Sequence, residues 1–258
     1  MYIGIEQVGM IALITLDHPA KRNALSRALI GELLAAMADL AAAHVRALIL
    51  KANSADTGVF SAGVDIEELP LGEDPLLYSD PLEQLLRAIR HFPAPVIAMV
   101  RGSVWGGATD LILSCDIVLG DDSCSFAITP VNLGLPYNIA GTLNFMRRLP
   151  LNVAKEMMFT ARPVDAREAE RWAILNHRLP AQELEDFTLT LARRIATKAP
   201  LAVAAIKEQF RMLADSAPLQ PGIFERIQEL RHRVFKSTDY AEGVRAFKEK
   251  RPPEFRGE

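Results

Sequence analysis

The sequence predicts an α/β fold in which helices cover a largely parallel sheet. Short apolar runs alternate with longer amphipathic segments through the first two-thirds of the 258 residues. This alternation is typical of parallel strands that are joined by helices. Beyond about residue 140 the pattern becomes helical, and we therefore expect a helical C-terminal region.

The predicted strands are apolar runs, and the predicted helices carry apolar residues at three- and four-residue steps. The strands cover residues 3–7, 10–16, 47–50, 59–60, 96–100 and 117–119. Ser26 is a good N-cap and predicts a helix to about Ala43. Asp80-Pro81 predicts a helix through Phe92, because proline suits the first helical position. Later helices are predicted over residues 184–197, 201–213, 224–235 and 239–249, and residues 165–168 resemble a capping box.

Composition and charge exclude several classes of protein. Hydrophobic residues make up 50% of the chain, enough for a substantial core. We predict one functional unit, with a core over residues 1–195 and a helical region over residues 196–258. A net charge of −3 gives no electrostatic case for a nucleic-acid partner. No apolar stretch reaches the ~18 residues of a membrane span, and no secretory signal is visible, which predicts a cytoplasmic protein without a membrane partner.

The most informative segment runs from Val100 to Asp110 and contains the pair Gly106-Gly107. It lies between a predicted strand and a run with helical spacing. Glycines at such a junction remove side chains where the backbone approaches another group closely. The following helix directs its free N–H groups at the same place, which suits an anion. A tight packing turn is the alternative interpretation.

A second segment of small residues, Phe60-Ser61-Ala62-Gly63-Val64-Asp65-Ile66, follows another apolar run. The two segments together resemble the oxyanion hole of the crotonase family, the enoyl-CoA hydratase and isomerase superfamily. The resemblance implies the ClpP/crotonase fold, a spiral of ββα units with a helical C-terminal trimerisation region. It also implies that the backbone N–H groups of Val64 and Gly107 polarise the carbonyl of a coenzyme A thioester.

The resemblance extends to both ends of the chain. Residues 22–26 match the family's coenzyme A loop, and residues 246–251 match its C-terminal signature, although the basic residues there also fit an ordinary solvated helix end. Substrate binding is implied for Arg22, Ala24, Ala62, Gly63, Asp65, Ile66, Thr129, Phe247 and Lys250. The acyl-CoA is then the substrate, with no separate cofactor and no metal. The family also implies a homotrimer or homohexamer.

Two positions bear on the reaction. Hydratases of this family use two carboxylates to handle a water molecule, whereas this chain has Asp110 at the first position and Val131 at the second. Residues 129–138 resemble instead the members of the family that decarboxylate methylmalonyl-CoA. We therefore expect a carbon–carbon lyase that forms propionyl-CoA through a thioester enolate, with Val131 desolvating the carboxylate. Two alternatives stay open: another crotonase activity, such as enoyl-CoA hydration or isomerisation, and a non-catalytic acyl-CoA-binding protein.

Three side chains complete the predicted site. The resemblance to these decarboxylases implies that Tyr137 lies at the substrate carboxylate, where a phenol donates a hydrogen bond while it is neutral; a half-buried aromatic that closes a Pro-Tyr turn is the alternative. Thr129 is expected near the carboxylate or the thioester, or else simply ends a strand. Asp110 relays a proton, positions the acyl group, or caps its own helix. The resembling decarboxylases carry histidine where this chain has Val64, so an imidazole is missing here. Residues 67–80 are predicted to form a surface loop near the site.

Overall fold

Strands and helices alternate in the computed structural model, which describes residues 1–70, 74, 76–215 and 221–256. The strands are β1 (Ile3–Val8), β2 (Ile11–Leu16), β3 (Ala47–Ala52), β4 (Val59–Ser61), β5 (Val96–Val100), β6 (Ser103–Trp105), β7 (Ile117–Asp121), β8 (Ser125–Ala127), β9 (Val164–Asp165) and β10 (His177–Leu179). The helices are α1 (Arg27–Ala42), α2 (Pro81–His91), α3 (Gly107–Ser114), α4 (Ile139–Arg148), α5 (Leu151–Thr160), α6 (Ala166–Arg171), α7 (Leu184–Ala196), α8 (Pro200–Ala214), α9 (Pro221–Phe235) and α10 (Thr238–Lys248).

Successive strands are divided between two sheets. The larger sheet has the order β1-β2-β3-β5-β7-β10, and the smaller has the order β4-β6-β8-β9. Among the strand pairs of the described residues, only β1–β2 and β8–β9 are antiparallel. From β3 to α4 the chain places one strand in the large sheet, the next in the small sheet, and then a helix. This is the predicted spiral of ββα units, and it brings the ends of β4, β6 and β8 together.

Both faces of the large sheet are buried, and residues along one strand alternate between them. On β3, Leu48 and Leu50 pack into the main core, whereas Ala47 and Ile49 face the other side. Helix α7 covers that second side through Leu184 and other apolar residues. This double burial explains why the parallel strands are continuous apolar runs rather than alternating apolar and polar residues.

The predicted helix boundaries agree with the structure to within about three residues. Ser26 caps α1 by accepting the Leu29 N–H, and Asp80 caps α2 by accepting the Leu82 N–H. Asp165 caps α6 through the Glu168 N–H. The Glu168 carboxylate pairs with Arg162, so the reciprocal bond of a capping box is not formed.

The sequence analysis did not predict the short strands β6, β8, β9 and β10, which have two or three residues each. The segment predicted as a loop, residues 67–80, begins within a short 3-10 helix, Ile66–Glu68. Residues 71–73 and 75 of that loop lie outside the described residues. Among the helices that the structure describes, none is long and apolar enough to cross a bilayer.

The C-terminal helices pack beside the loop that follows β4. The Arg231 guanidinium of α9 forms a buried ion pair with Asp74 at 2.5 Å. The Tyr240 hydroxyl of α10 donates to the Pro70 carbonyl at 2.8 Å. Gly243 of α10 lies so close to the backbone of Leu133 that a side chain there would collide with it. Helices α9 and α10 therefore support Pro70, Asp74 and the segment around residues 130–134 within the same chain.

The loop before α1 is held by one buried side chain, Asn23. Its Nδ2 donates to the carbonyls of Asn53 and Phe60, both at 3.1 Å, and its Oδ1 accepts the His18 N–H at 2.7 Å. Asn23 also has a positive φ of 53°, a conformation that asparagine tolerates better than most residues. This side chain thus fixes the loop against the strands that lead to residues 61–66.

We expect Asn23→Ala to lower the free energy of unfolding by roughly 3 kcal/mol, because three backbone groups, of which the Phe60 carbonyl is buried, lose their partner. Urea unfolding monitored by circular dichroism measures this change. Gln7→Ala is the matched control, since the exposed Gln7 amide makes one hydrogen bond, to Gly9, and its loss should cost less than about 0.5 kcal/mol. Equal losses in the two variants would show that Asn23 does not anchor the loop.

Candidate active site

Two glycines form the corner where β4 and β6 end. These strands are parallel neighbours, so their carboxyl ends meet at one edge of the small sheet. Gly63 has a φ of +84°, and a Cβ there would lie 2.5 Å from the Trp105 carbonyl oxygen. Gly106 has a φ of +54°. Both positions therefore need glycine, one for close approach and both for backbone conformation.

The pairing of residues 63–65 with Leu25 directs the Val64 N–H away from that partner. Leu25 donates its N–H to the Gly63 carbonyl at 2.7 Å, and Asp65 donates to the Leu25 carbonyl at 3.4 Å. In a parallel bridge of this kind, the N–H of the intervening residue points to the opposite side. The Val64 amide therefore faces the Gly106-Gly107 corner rather than the β-bridge.

The second amide belongs to Gly107, the first residue of α3, whose N–H has no acceptor inside the helix. A Cβ at Gly107 would lie 2.9 Å from Cγ2 of Val64, so the two loops are in contact. Across the described residues, neither the Val64 nor the Gly107 N–H has a hydrogen-bond partner. The structure thus brings two free backbone donors together, as the sequence predicted, at the positive end of a helix.

A small cavity opens at these amides. Its volume is about 60 Å³. Its walls are mostly apolar, with the exception of Thr129 and Tyr137. The lining residues are Ala62, Gly63, Val64, Ile66, Leu69, Leu76, Leu82, Gly106, Gly107, Thr129, Pro130, Leu133, Leu135 and Tyr137.

Asp110 and Tyr137 form a buried pair next to this cavity. Asp110 lies one turn into α3 and is fully buried. The Tyr137 hydroxyl donates to its Oδ2 at 3.0 Å, and the Asn144 amide donates to its Oδ1. The hypothesis that Asp110 caps its own helix is wrong, because its carboxylate is bound by these two side chains from other segments.

Burial shifts the pKa of both members of the pair. The pKa of Asp110 is raised from 3.8 to about 6: loss of water is the largest cause and the nearby Glu83 charge adds to it, while the hydrogen bonds from Asn144 and Tyr137 oppose the shift. Burial also raises the pKa of Tyr137 well above 10, and the Asp110 charge adds to this effect. The phenol is therefore neutral at ordinary pH and keeps a hydrogen to donate.

Sequence reasoning missed a second buried carboxylate, Glu83 of α2, which is 2% exposed. The Asn138 Nδ2 donates to Glu83 Oε1 and to the Leu76 carbonyl, while Asn138 Oδ1 caps α4 by accepting the Gly141 N–H. Glu83 lies three residues after the N-cap of its helix, where the side chain of a glutamate ordinarily accepts the backbone N–H of the N-cap residue. The sequence therefore offered no signal that this residue faces inward.

The predicted coenzyme A residues take several different positions. Ala62 and Ile66 line the cavity, and Ala62 donates its N–H to the carbonyl of Arg22, whose backbone is left-handed. Ala24 is buried in the same loop. The Asp65 carboxylate accepts the Glu67 N–H and binds Lys21 at 2.8 Å, so it caps the short helix that follows. Lys21 itself was not predicted.

The structure corrects one prediction and separates two residues from the cavity. Val131 is 42% exposed and lies outside the lining, so its predicted role in desolvating a carboxylate is wrong; Leu133 and Leu135 provide the apolar wall instead. Phe247 and Lys250, at the end of α10, are exposed and do not line the cavity either. Thr129 does line it.

Known proteins of the same size resemble the whole chain. The model of the enoyl-CoA hydratase/isomerase family matches residues 6–258. Methylmalonyl-CoA decarboxylase of Escherichia coli (strain K12) is 47% identical over 257 residues, which are 99% of this chain and 98% of that protein. Carnitinyl-CoA dehydratase of Salmonella arizonae is 36% identical over 255 residues, covering 96% of each. A solved structure of methylmalonyl-CoA decarboxylase in complex with 2-nitronate-propionyl-CoA has a TM-score of 0.97 at 46% identity, covering 100% of this chain and 99% of that one.

We expect Asp110→Asn to stabilise the protein at pH 7.5 but not at pH 4. The native state favours the neutral carboxyl, so its stability falls as the pH rises through the folded pKa of about 6. Asparagine stays neutral and avoids this loss, which amounts to roughly 3 kcal/mol at high pH. Urea midpoints at the two pH values measure the difference. A variant less stable than the parent at pH 7.5 would contradict the account.

Proposed function

The chain belongs to the enoyl-CoA hydratase/isomerase family, and we propose that it is a carbon–carbon lyase that decarboxylates methylmalonyl-CoA to propionyl-CoA. One observation carries this proposal. The cavity contains the free amides of Val64 and Gly107. Among the residues that the structure describes, no acidic or basic side chain lines it. Such a site stabilises an oxyanion but provides no base in contact with the substrate.

Decarboxylation needs no base, because the departing carboxylate leaves its electron pair behind. The carbon–carbon bond breaks, carbon dioxide leaves, and the electrons move to the thioester oxygen as an enolate. The Val64 and Gly107 amides stabilise the negative charge that develops on that oxygen; one such donor typically contributes ~3–4 kcal/mol. The coenzyme A thioester is the substrate, and this chemistry requires no separate cofactor.

Hydration makes different demands on the site. A water molecule must lose a proton to one group while the substrate carbon gains a proton from another, and hydratases use two carboxylates for this. Here Val131 occupies the second position and is exposed outside the cavity, while Asp110 is separated from it by Tyr137.

Tyr137 is the proposed partner of the substrate carboxylate and then the source of the proton that replaces it. It is the polar side chain in the lining that has a buried acid behind it, Asp110. Its raised pKa keeps it neutral, so it does not repel an anion, and its one hydrogen would turn from Asp110 to the bound carboxylate. Thr129 provides a second hydroxyl beside the glycine corner, since its Oγ1 lies 3.2 Å from a Cβ built on Gly106.

The coenzyme A part of the substrate is proposed to bind along the loops at the cavity mouth. Residues of these loops are Arg22, Ala24, Ala62, Gly63, Asp65 and Ile66. Phe247 and Lys250 are proposed to reach coenzyme A from a neighbouring subunit, which agrees with their exposure here.

A homotrimer or homohexamer is proposed on the strength of the exposed apolar side chains of α8, which carries no buried residue. They include Leu201, Ile206, Phe210 and Met212. We propose that residues 1–195 form the core, that residues 196–258 form the helical region that makes these contacts, and that the protein acts in the cytoplasm.

A comparison of two substrates tests the reaction. Methylmalonyl-CoA and crotonyl-CoA are incubated separately with the protein, and the products are identified by mass spectrometry. We expect propionyl-CoA and carbon dioxide from the first and little or no hydration of the second. Hydration of crotonyl-CoA without decarboxylation would establish the hydratase alternative, and binding of both without turnover would establish an acyl-CoA-binding protein.

Tyr137→Phe is expected to lower kcat for decarboxylation by roughly 10²-fold, because the proton donor is lost. The dissociation constant for coenzyme A should stay the same, since the ring and the coenzyme loops are retained. Tyr78→Phe is the matched control, because Tyr78 is 74% exposed and its ring stacks on Arg87. Unchanged turnover in Tyr137→Phe would remove this hydroxyl from the mechanism.

A further inference from the structure

Helix α4 places a glycine directly against the ring of Tyr137. A Cβ built on Gly141 would overlap Cε1 of that ring, and it would lie 2.6 Å from Cδ1 and 2.8 Å from Oδ2 of Asp110. We propose that Gly141 is a positioning residue: the side chain that it lacks leaves the slot in which the Tyr137 ring lies, and this slot places the hydroxyl between Asp110 and the cavity. The inference rests on the proposed decarboxylation and adds to it the residue that positions the proton donor.

The backbone at this position does not itself require glycine. Gly141 is not among the glycines with a positive φ. It lies in the first turn of α4, where its N–H is accepted by the side chain of the N-cap residue Asn138 at 2.8 Å. In a helical conformation alanine is more stable than glycine, because glycine loses more conformational freedom on folding. The glycine therefore serves a neighbouring group, and its nearest neighbour is the Tyr137 ring.

One face of α4 holds both partners of the hydrogen bond between Tyr137 and Asp110. Phe145, one turn after Gly141, meets the Tyr137 ring edge-on, with the ring centroids 5.7 Å apart. Asn144 donates its amide N–H to Asp110 Oδ1 at 2.5 Å. Gly141, Asn144 and Phe145 are the buried residues of this helix, so its buried face as a whole contacts the pair.

The backbone between Tyr137 and α4 is fixed as well. The Asn138 Nδ2 donates to the Leu76 carbonyl at 3.2 Å and to Glu83 Oε1, while its Oδ1 accepts the Gly141 N–H. These bonds hold residues 137–141 in one tight turn. A side chain on Gly141 therefore has to displace the Tyr137 ring rather than the backbone.

The place of the ring determines which groups the hydroxyl can reach. The hydrogen of a phenol turns about the C–O bond, whereas its oxygen stays where the ring puts it. From its place in the slot the Tyr137 hydroxyl donates to Asp110 Oδ2 at 3.0 Å, and Tyr137 also lines the cavity. A displacement of about 1 Å can lower the rate of an oriented reaction by roughly 10²-fold.

The test is a double-mutant cycle on kcat with methylmalonyl-CoA, in which Tyr137→Phe is compared in two backgrounds. In the parent, loss of the hydroxyl should lower kcat by roughly 10²-fold. In Gly141→Ala the hydroxyl is already displaced, so kcat is low, and adding Tyr137→Phe should lower it by less than about threefold. Any effect of the added methyl group on substrate binding or stability cancels, because both members of that pair carry it.

Gly31→Ala is the matched control. Gly31 also lies in a helix, α1, and a Cβ there has no atom within 4 Å, so Tyr137→Phe should keep its roughly 10²-fold effect in this background. Phe145→Leu is a second test of the slot, since it keeps Gly141 but removes the ring that meets Tyr137 edge-on. We expect the effect of Tyr137→Phe to fall to about tenfold in Phe145→Leu.

The inference is overturned if Tyr137→Phe keeps its full effect in the Gly141→Ala background, because a merely structural defect lowers both members of the pair by the same factor. If thermal unfolding shows that Gly141→Ala does not fold, Phe145→Leu decides alone, and an undiminished effect there overturns the inference. A parent that does not decarboxylate methylmalonyl-CoA overturns the proposed function instead, and is recognised before any variant is compared.

Discussion

The site depends on two backbone N–H groups that the fold leaves without partners. The Val64 amide is turned away from the β-bridge to Leu25, and the Gly107 amide is the first of α3. Because backbone groups make this site, its requirements fall on chain geometry rather than on polar side chains. The glycines at 63 and 106, the parallel pairing of β4 with β6, and the anchoring of the preceding loop by Asn23 all serve to hold these two donors in place.

The apolar cavity and the buried acid behind it belong to the same arrangement. An amide donor acts more strongly on a developing charge where water is excluded, and the leucines of the lining exclude it. The same exclusion raises the pKa of Asp110 and holds Tyr137 neutral. In the proposed mechanism, the environment that strengthens the oxyanion hole also produces the proton donor, at a cost in stability that Asp110 carries at high pH.

Much of this arrangement was predictable from the sequence, and the exceptions have physical reasons. The glycine corner and the α/β alternation leave local signals, because a glycine or an apolar run acts where it stands. The Val64 and Gly107 amides were predicted from the resemblance of their two segments to the crotonase family. The role of Val131 was predicted wrongly because no local pattern shows which way a residue of a 3-10 turn faces. Glu83 was missed because its inward orientation depends on Asn138, 55 residues away. The strands of two or three residues are too short to show a period.

The most direct test of the central claim is the infrared stretch of the thioester carbonyl in bound propionyl-CoA labelled with ¹³C at that carbon. Two fixed amide donors should polarise the carbonyl more than water does, because they are already oriented and are shielded from solvent. We predict a bound stretch at lower frequency than that of the free thioester in water. A stretch at equal or higher frequency would mean that the Val64 and Gly107 amides do not bind the carbonyl oxygen, and would contradict the account.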